Sequence, residues 1–216
     1  MARHALTTTT AAALTATAAL LLTACGGGED KSSAGMEGAD TESSASASAS
    51  ASTPSGPERP QITLPSSFRL TFENWKSSDP SRQALLDDAK EEVRAGYAAI
   101  IANDPDSEAV AFYDTEGVHG LTKEWIKSYT DKNLTVIGDL PAFNPKVTLA
   151  EDGRGASLSY CTDESKAKTR NRKTGKVEGN PAGTSPYVLY AVALAKNDQG
   201  VWQNASVRSE RGKCSK

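Results

Sequence analysis

Histidine is the scarcest source of acid–base chemistry in this chain: it occurs twice, as His4 and His119. His4 lies ahead of an apolar stretch at the amino terminus and would leave with it on cleavage, so His119 is the one imidazole left to a mature chain. That excludes a multi-histidine metal centre, and neither Cys161 nor Cys214 has a CxxC partner. A Ser/His/Asp triad would need His119, yet the chain has no GxSxG elbow, and His119 stands between Gly117 and Gly120 in what reads as an exposed loop. Gly212-Lys213-Cys214 lacks the upstream glycine and the Ser/Thr of a phosphate-binding loop. No catalytic, metal-binding or cofactor-binding residue is assigned on these grounds, and no cofactor is expected.

Two other groups of side chains could still do work. Tyr97, Trp125, Tyr129 and Tyr190 could line a cavity, although aromatic residues at helical spacing are usually buried for stability, so packing is the first reading. Asp163 would share a strand face with Ser157, Ser159 and Cys161, opposite Leu158 and Tyr160, and that face reads as solvated. The basic stretch is sharper. Lys166, Lys168, Arg170 and Arg172 recur at every second position, so in a strand they project from one face, with Lys173 and Lys176 at the following turn. Such a ribbon could meet an anionic cell-wall polymer or lipid headgroups; lysines along an edge hairpin also discourage edge-to-edge pairing, and that reading is the stronger. The chain carries 24 Lys and Arg against 27 Asp and Glu, with no aromatics interleaved among the cations, so nucleic acid is not an expected partner.

The elements that position these residues divide the chain in two. Asp79-Pro80 reads as an N-cap and first helical position, and Leu86, Ala89, Val93, Tyr97, Ile100 and Ile101 then repeat at three- and four-residue spacing up to Asn103-Asp104-Pro105. Asp87, Asp88, Glu91 and Glu92 are expected to fill the early polar positions of this helix. A second start at Asp104 predicts a short helix through Ala109, Val110 and Phe112, and Thr122 a third, carrying Trp125, Ile126 and Tyr129. Beyond Leu134 the pattern turns to alternation, with turns at Asp152-Gly153, near Gly175 and at Asn197 to Gly200, which predicts antiparallel strands. Between Tyr187 and Lys196 both faces are apolar, which predicts a central strand covered on both sides. Helices followed by strands make an α+β domain, its N-terminal helices packed on a curved antiparallel sheet.

Arg3 and the apolar run from Ala11 to Leu22, too short to span a bilayer, read as a cleavable export signal over residues 1–24. The run Leu22-Thr23-Ala24-Cys25 resembles the lipobox of bacterial lipoproteins, which implies a diacylglycerol on Cys25 and a membrane anchor. Residues 25–60, rich in Gly, Ser, Ala and Pro, are expected to form a disordered tether reaching about 30 Å, ahead of a globular domain over 61–216. With Cys25 assigned to lipid, Cys161 and Cys214 are expected to pair outside the reducing cytoplasm, free thiols being the alternative.

The order of elements resembles the nuclear-transport-factor-2-like, cystatin-like cone. The last third is similar to a set of uncharacterised actinobacterial lipoproteins of that fold, through Tyr160-Cys161-Thr162-Asp163-Glu164-Ser165, the Arg172-Lys173-Thr174-Gly175-Lys176 hairpin, Trp202 and Gly212-Lys213-Cys214. Lys166 departs from the aromatic residue the resemblance implies after Ser165. The resemblance implies an extracytoplasmic module without assigned chemistry. The leading expectation is therefore a non-enzymatic, membrane-anchored binding or assembly module of the cell envelope, partnered by an envelope protein or polymer. The alternative is a small-substrate isomerase, dehydratase or hydrolase, or a carrier of an apolar ligand, using the cone cavity.

Overall fold

The computed structural model describes residues 57–214. Cys25, the expected signal and most of the expected tether lie outside them. Helix α1 (Pro80–Ala102) begins where its sequence dictates: Asp79 accepts hydrogen bonds from the Ser81 and Arg82 amides at 2.8 and 3.1 Å, and Pro80 needs no amide partner there. It ends at Asn103 in the left-handed region (φ 60°), and Arg172 Nη2 donates to the carbonyls of Ile100 and Ile101 at 2.6 and 3.0 Å. A cation thus sits at the negative end of the helix.

The next two helices correct the sequence reading. Helix α2 (Glu108–Tyr113) starts from Ser107 rather than Asp104, whose carboxylate instead accepts from the Asp106 amide in a turn. Helix α3 (Glu116–Thr130) takes in Gly117, His119 and Gly120, which the sequence places in a loop, and its N-cap is Thr115 rather than Thr122. Glycine weakens a helix, but burial of Val118 and Ile126 on one face outweighs that cost. The Thr115 amide and hydroxyl both donate to the Asn204 carbonyl, at 2.9 and 3.1 Å, and so seat the helix start on the sheet.

Among the described residues seven strands form one sheet: β1 (Phe68–Phe72), β2 (Leu134–Leu149), β3 (Gly155–Asp163), β4 (Lys166–Asn171), β5 (Val177–Glu178), β6 (Tyr187–Lys196) and β7 (Trp202–Arg211). Strand β2 is its spine. β1, which five residues of alternation left unread in the sequence, pairs parallel with the middle of β2. On the opposite edge β3 covers residues 142–149 of β2 and β4 covers 134–139. Strand β3 continues to β6 and β7, and β4 to β5, all antiparallel. The long spine bends at two places. Gly138 has φ +93°, and a Cβ there would stand 2.1 Å from the Lys166 carbonyl oxygen. An irregularity between Phe143 and Lys146 follows, with Asn144 at φ 53°.

The helices pack on one face of this curled sheet, giving the cone-like α+β architecture that the order of elements predicts. Leu85, Leu86 and Ala89 of α1 meet Leu158, Tyr160, Val192 and Leu194 of β3 and β6, with Trp75 and Trp202 at the same core. A second cluster joins Phe68 and Leu70 of β1 to Ile100, Tyr113, Ile126 and Leu140. Strand β6 is flanked by β3 and β7, but it is not covered on both faces. Ala191 and Ala193 are exposed in this chain, because α1 to α3 all lie on the face of Val188, Val192 and Leu194.

Cys161 and Cys214 form the expected disulfide, with Cα atoms 6.1 Å apart, tying the tail after β7 to β3. Closing a loop of 53 residues stabilises the fold by about 4 kcal/mol on the chain-entropy account. Arg59 donates to buried Asp88 at 2.7 and 3.2 Å, and Asp88 also accepts the Trp202 amide at 3.0 Å, so the chain ahead of β1 is pinned to α1 and β7. Among the described residues no helix is long and apolar enough to cross a membrane.

Candidate functional site

A cavity of about 300 Å³ lies between α1, α3 and strands β3, β6 and β7. Helical periodicity builds two of its walls. Val93 and Tyr97 of α1 are one turn apart, as are Glu92 and Gly96, and α3 turns Val118, Thr122 and Trp125 towards them. Gly96 sets the approach of the two helices: a Cβ there would lie 2.9 Å from the Trp125 ring. Tyr160 and Thr162 of β3, Tyr190 of β6 and Asn204 of β7 complete the wall.

Four aromatic rings face this space as two pairs. Tyr160 and Tyr190 stack with centroids 5.0 Å apart and planes 9° apart, and Tyr97 meets Trp125 edge to face at 5.6 Å. Burial pushes the Tyr190 hydroxyl up to about 12, with the Glu164 and Tyr129 charges adding to it; the hydroxyls of Tyr97 and Tyr160 are raised further for the same first reason. All three are neutral hydrogen-bonding groups at physiological pH.

The acid of the cavity wall is Glu92. Burial first, and the neighbouring Asp114 charge second, raise its carboxyl from the ordinary 4.5 to about 8 against a lowering by Asn204. The Asn204 amide donates to both acids, to Glu92 Oε1 at 3.4 Å and to Asp114 Oδ1 at 3.4 Å. Asp114, itself raised by burial, is held down by Thr122, His119 and Asn204. His119 Nδ1 stands 3.5 Å from Asp114 Oδ2. The result is a row running from the cavity through buried Asn204 and Asp114 to part-exposed His119, in which the Glu92 carboxyl is poised to gain or lose a proton near neutral pH.

The residues singled out from sequence fall in different places. Tyr97, Trp125 and Tyr190 line the cavity; Tyr129 lines a smaller one with Tyr97, Glu164 and Arg211. Asp163 is on the outer side of the sheet, where it accepts the Ser165 amide at 2.9 Å. In the basic stretch Lys166, Lys168 and Arg170 alternate as exposed residues of β4, whereas Arg172 caps α1 and Lys176 pairs with Glu178 at 2.6 Å. Lys173 sits in the turn closed by Asn171 Oδ1, which accepts its amide at 3.0 Å. The ribbon is thus shorter than strict alternation predicts, because the helix end captures Arg172.

Sequence reasoning missed Glu92, Asp114, Thr162 and Asn204. For Glu92 the signal was present but assigned to solvent. Leu85, Ala89, Glu92, Gly96 and Ala99 fall on one helical stripe, so Glu92, like Asp88, stands among apolar residues of the inward face. Of the four acids expected on the polar side of α1, Asp88 and Glu92 instead turn inward, one to Arg59 and one to the cavity. Asn204 carried no such signal. Among the described residues no cluster of three His, Cys, Asp or Glu is arranged to hold a metal ion.

No family model matches the chain, and no curated protein matches it. Solved structures that are similar to it in part include a ketosteroid isomerase-like protein from Erwinia carotovora atroseptica, at 16% identity and TM-score 0.41, covering 61% of this chain and 95% of that one. ActVI-ORFA from Streptomyces coelicolor has 10% identity and TM-score 0.42 over 61% of this chain and 98% of its own. The intermembrane space region of the chloroplast protein ARC6 has 9% identity and TM-score 0.42 over 63% of this chain and all of its own (100%). Likenesses of this strength carry neither substrate nor mechanism across, and the cone class rests on the strand order of this chain.

Proposed function

We propose that this chain is a lipid-anchored extracytoplasmic protein that holds a small, largely apolar molecule in the cavity between α1, α3 and the sheet, with Glu92 exchanging a proton with it. The observation that carries the reading is Glu92 itself, an acid in an aromatic-walled cavity whose carboxyl is raised to about 8. A structural role alone would favour an apolar residue there, because an acid in such a wall is costly to ionise. The reading belongs to the alternative class anticipated from sequence, a small-substrate enzyme or ligand carrier, rather than to a surface-binding module. The cavity is not filled by aliphatic side chains, the outcome that would have removed that class.

Native mass spectrometry of the full chain extracted from its source envelope tests it. A bound molecule of a few hundred daltons is expected, and Gly117→Phe should remove it, since Gly117 lines the cavity and a Cβ there would meet no atom within 4 Å. An empty wild-type chain, or a bound mass that survives Gly117→Phe in a folded variant, would overturn the proposal.

A further inference from the structure

The chemistry of the cavity wall narrows the ligand. No Lys, Arg or His is among its lining residues, and Glu92 is the one carboxyl among them, with Asp114 behind it. An anionic ligand would meet two acids and no cation. The wall also holds unanswered polar oxygens. Thr162 and Asn204 are 2% and 1% exposed, and Thr162 Oγ1 and Asn204 Oδ1 have no hydrogen-bond partner. Such a site is completed by a donor or a positive charge. Tyr97 and Trp125, edge to face, and the stacked pair Tyr160 and Tyr190 add aromatic surface to the wall, and an aromatic face attracts a cation most where water is excluded. Finally, the rim is apolar: Leu121, Trp125 and Val207 belong to the cavity lining and are 71%, 37% and 46% exposed.

We infer that the cavity takes an organic cation, a small ammonium group on an apolar body, with its charge against the Glu92 carboxylate and the rings of Tyr97, Trp125, Tyr160 and Tyr190. The inference rests on the reading of the cavity as a small-molecule site and names its ligand class. The apolar body lies towards Leu121 and Val207 at the rim. Binding is coupled to a proton. Free Glu92 is protonated at neutral pH; the incoming cation favours its ionised form, so the carboxyl releases its proton to solvent as the ammonium seats. The titratable and charged groups around it are Asp114 after α2, His119 of α3 behind Asp114, Tyr97 of α1, Tyr160 of β3 and Tyr190 of β6. The tyrosines stay neutral over the range concerned, and Asp114 opposes ionisation of Glu92 until the cation arrives.

Calorimetric titration of the purified full chain with phenyltrimethylammonium and its uncharged isostere tert-butylbenzene tests the ligand class. Neither probe titrates, so protein groups set the pH response. The cation should bind about ten-fold more tightly than the isostere at pH 8, with affinity falling about ten-fold or more towards pH 6. Near pH 7, two buffers of different ionisation enthalpy should show proton release. Glu92→Gln should abolish both the preference and the proton release while still binding the isostere, and Gly117→Phe should abolish binding of both. Equal or tighter binding of the isostere would overturn the cation class and leave the cavity reading standing. Cation binding that survives Gly117→Phe would place the cation elsewhere and overturn the inference. Failure of both probes would also overturn it, and an empty chain in native mass spectrometry would then remove the broader reading as well.

Discussion

Glu92 shows how one side chain links stability to function. Its carboxyl moves from 4.5 to about 8 on folding, so between those values the folded chain binds more protons than the unfolded one. Stability contributed in this way is complete below about pH 4.5 and is lost as pH rises through 8. Thermal unfolding of the ligand-free wild type should therefore show falling stability from pH 5 to 8. Glu92→Gln should flatten that slope and unfold at a higher temperature than wild type at pH 8; a slope unchanged by the substitution would show that Glu92 titrates normally. Asp88, four residues earlier on α1, has the opposite use. It is buried but answered by Arg59 and the Trp202 amide, so it fastens structure instead of waiting for a ligand. Both acids look alike in the sequence, and only their partners separate them.

The elements that hold the site are legible in the sequence where local chemistry decides them. Asp79-Pro80 starts α1, Asp152-Gly153 turns β2 into β3, and Asn197 to Gly200 turns β6 into β7. Helix α3 was misread around His119 because its two glycines are local evidence for a loop, whereas its start is seated by the distant Asn204 carbonyl. The bend in β2 likewise depends on a contact far along the chain. Gly138 has both a backbone angle that favours glycine, φ +93°, and a neighbour, the Lys166 carbonyl, 2.1 Å from where a Cβ would stand. Gly138→Ala should cost at least about 2 kcal/mol in urea unfolding, where β4 leaves β2, even though alanine is otherwise the mildest change. Gly153→Ala is a control for backbone strain alone, since φ is +66° but a Cβ there would meet nothing within 4 Å. Equal losses in the two variants would show that the Lys166 contact adds nothing.

At the scale of the whole molecule, the proposed address and the proposed site are separate devices joined by a linker. The proposed address rests on Cys25, outside the described residues, and its test is simple: if the proposal holds, the full chain expressed in a bacterium enters the detergent phase on Triton X-114 partition, and Cys25→Ser moves it to the aqueous phase. A wild type that stays aqueous would remove the anchor. What the sequence determined by itself was whatever depends on neighbours in the chain: the capped helix α1, the turns, the α+β order, and the candidate export signal and lipobox. It also made the disulfide a reasonable expectation once Cys25 was set aside, since two cysteines remained to pair. What only the tertiary structure decided was which polar groups face inward and whom they meet. Glu92, Asp114 and Asn204 are separated by 22 and 90 positions, and the cavity is walled by α1, α3 and three strands that meet only in the fold, with Gly96 admitting the Trp125 ring. Such groups acquire shifted proton affinities from burial and from each other, and neither quantity exists until the chain has brought them together.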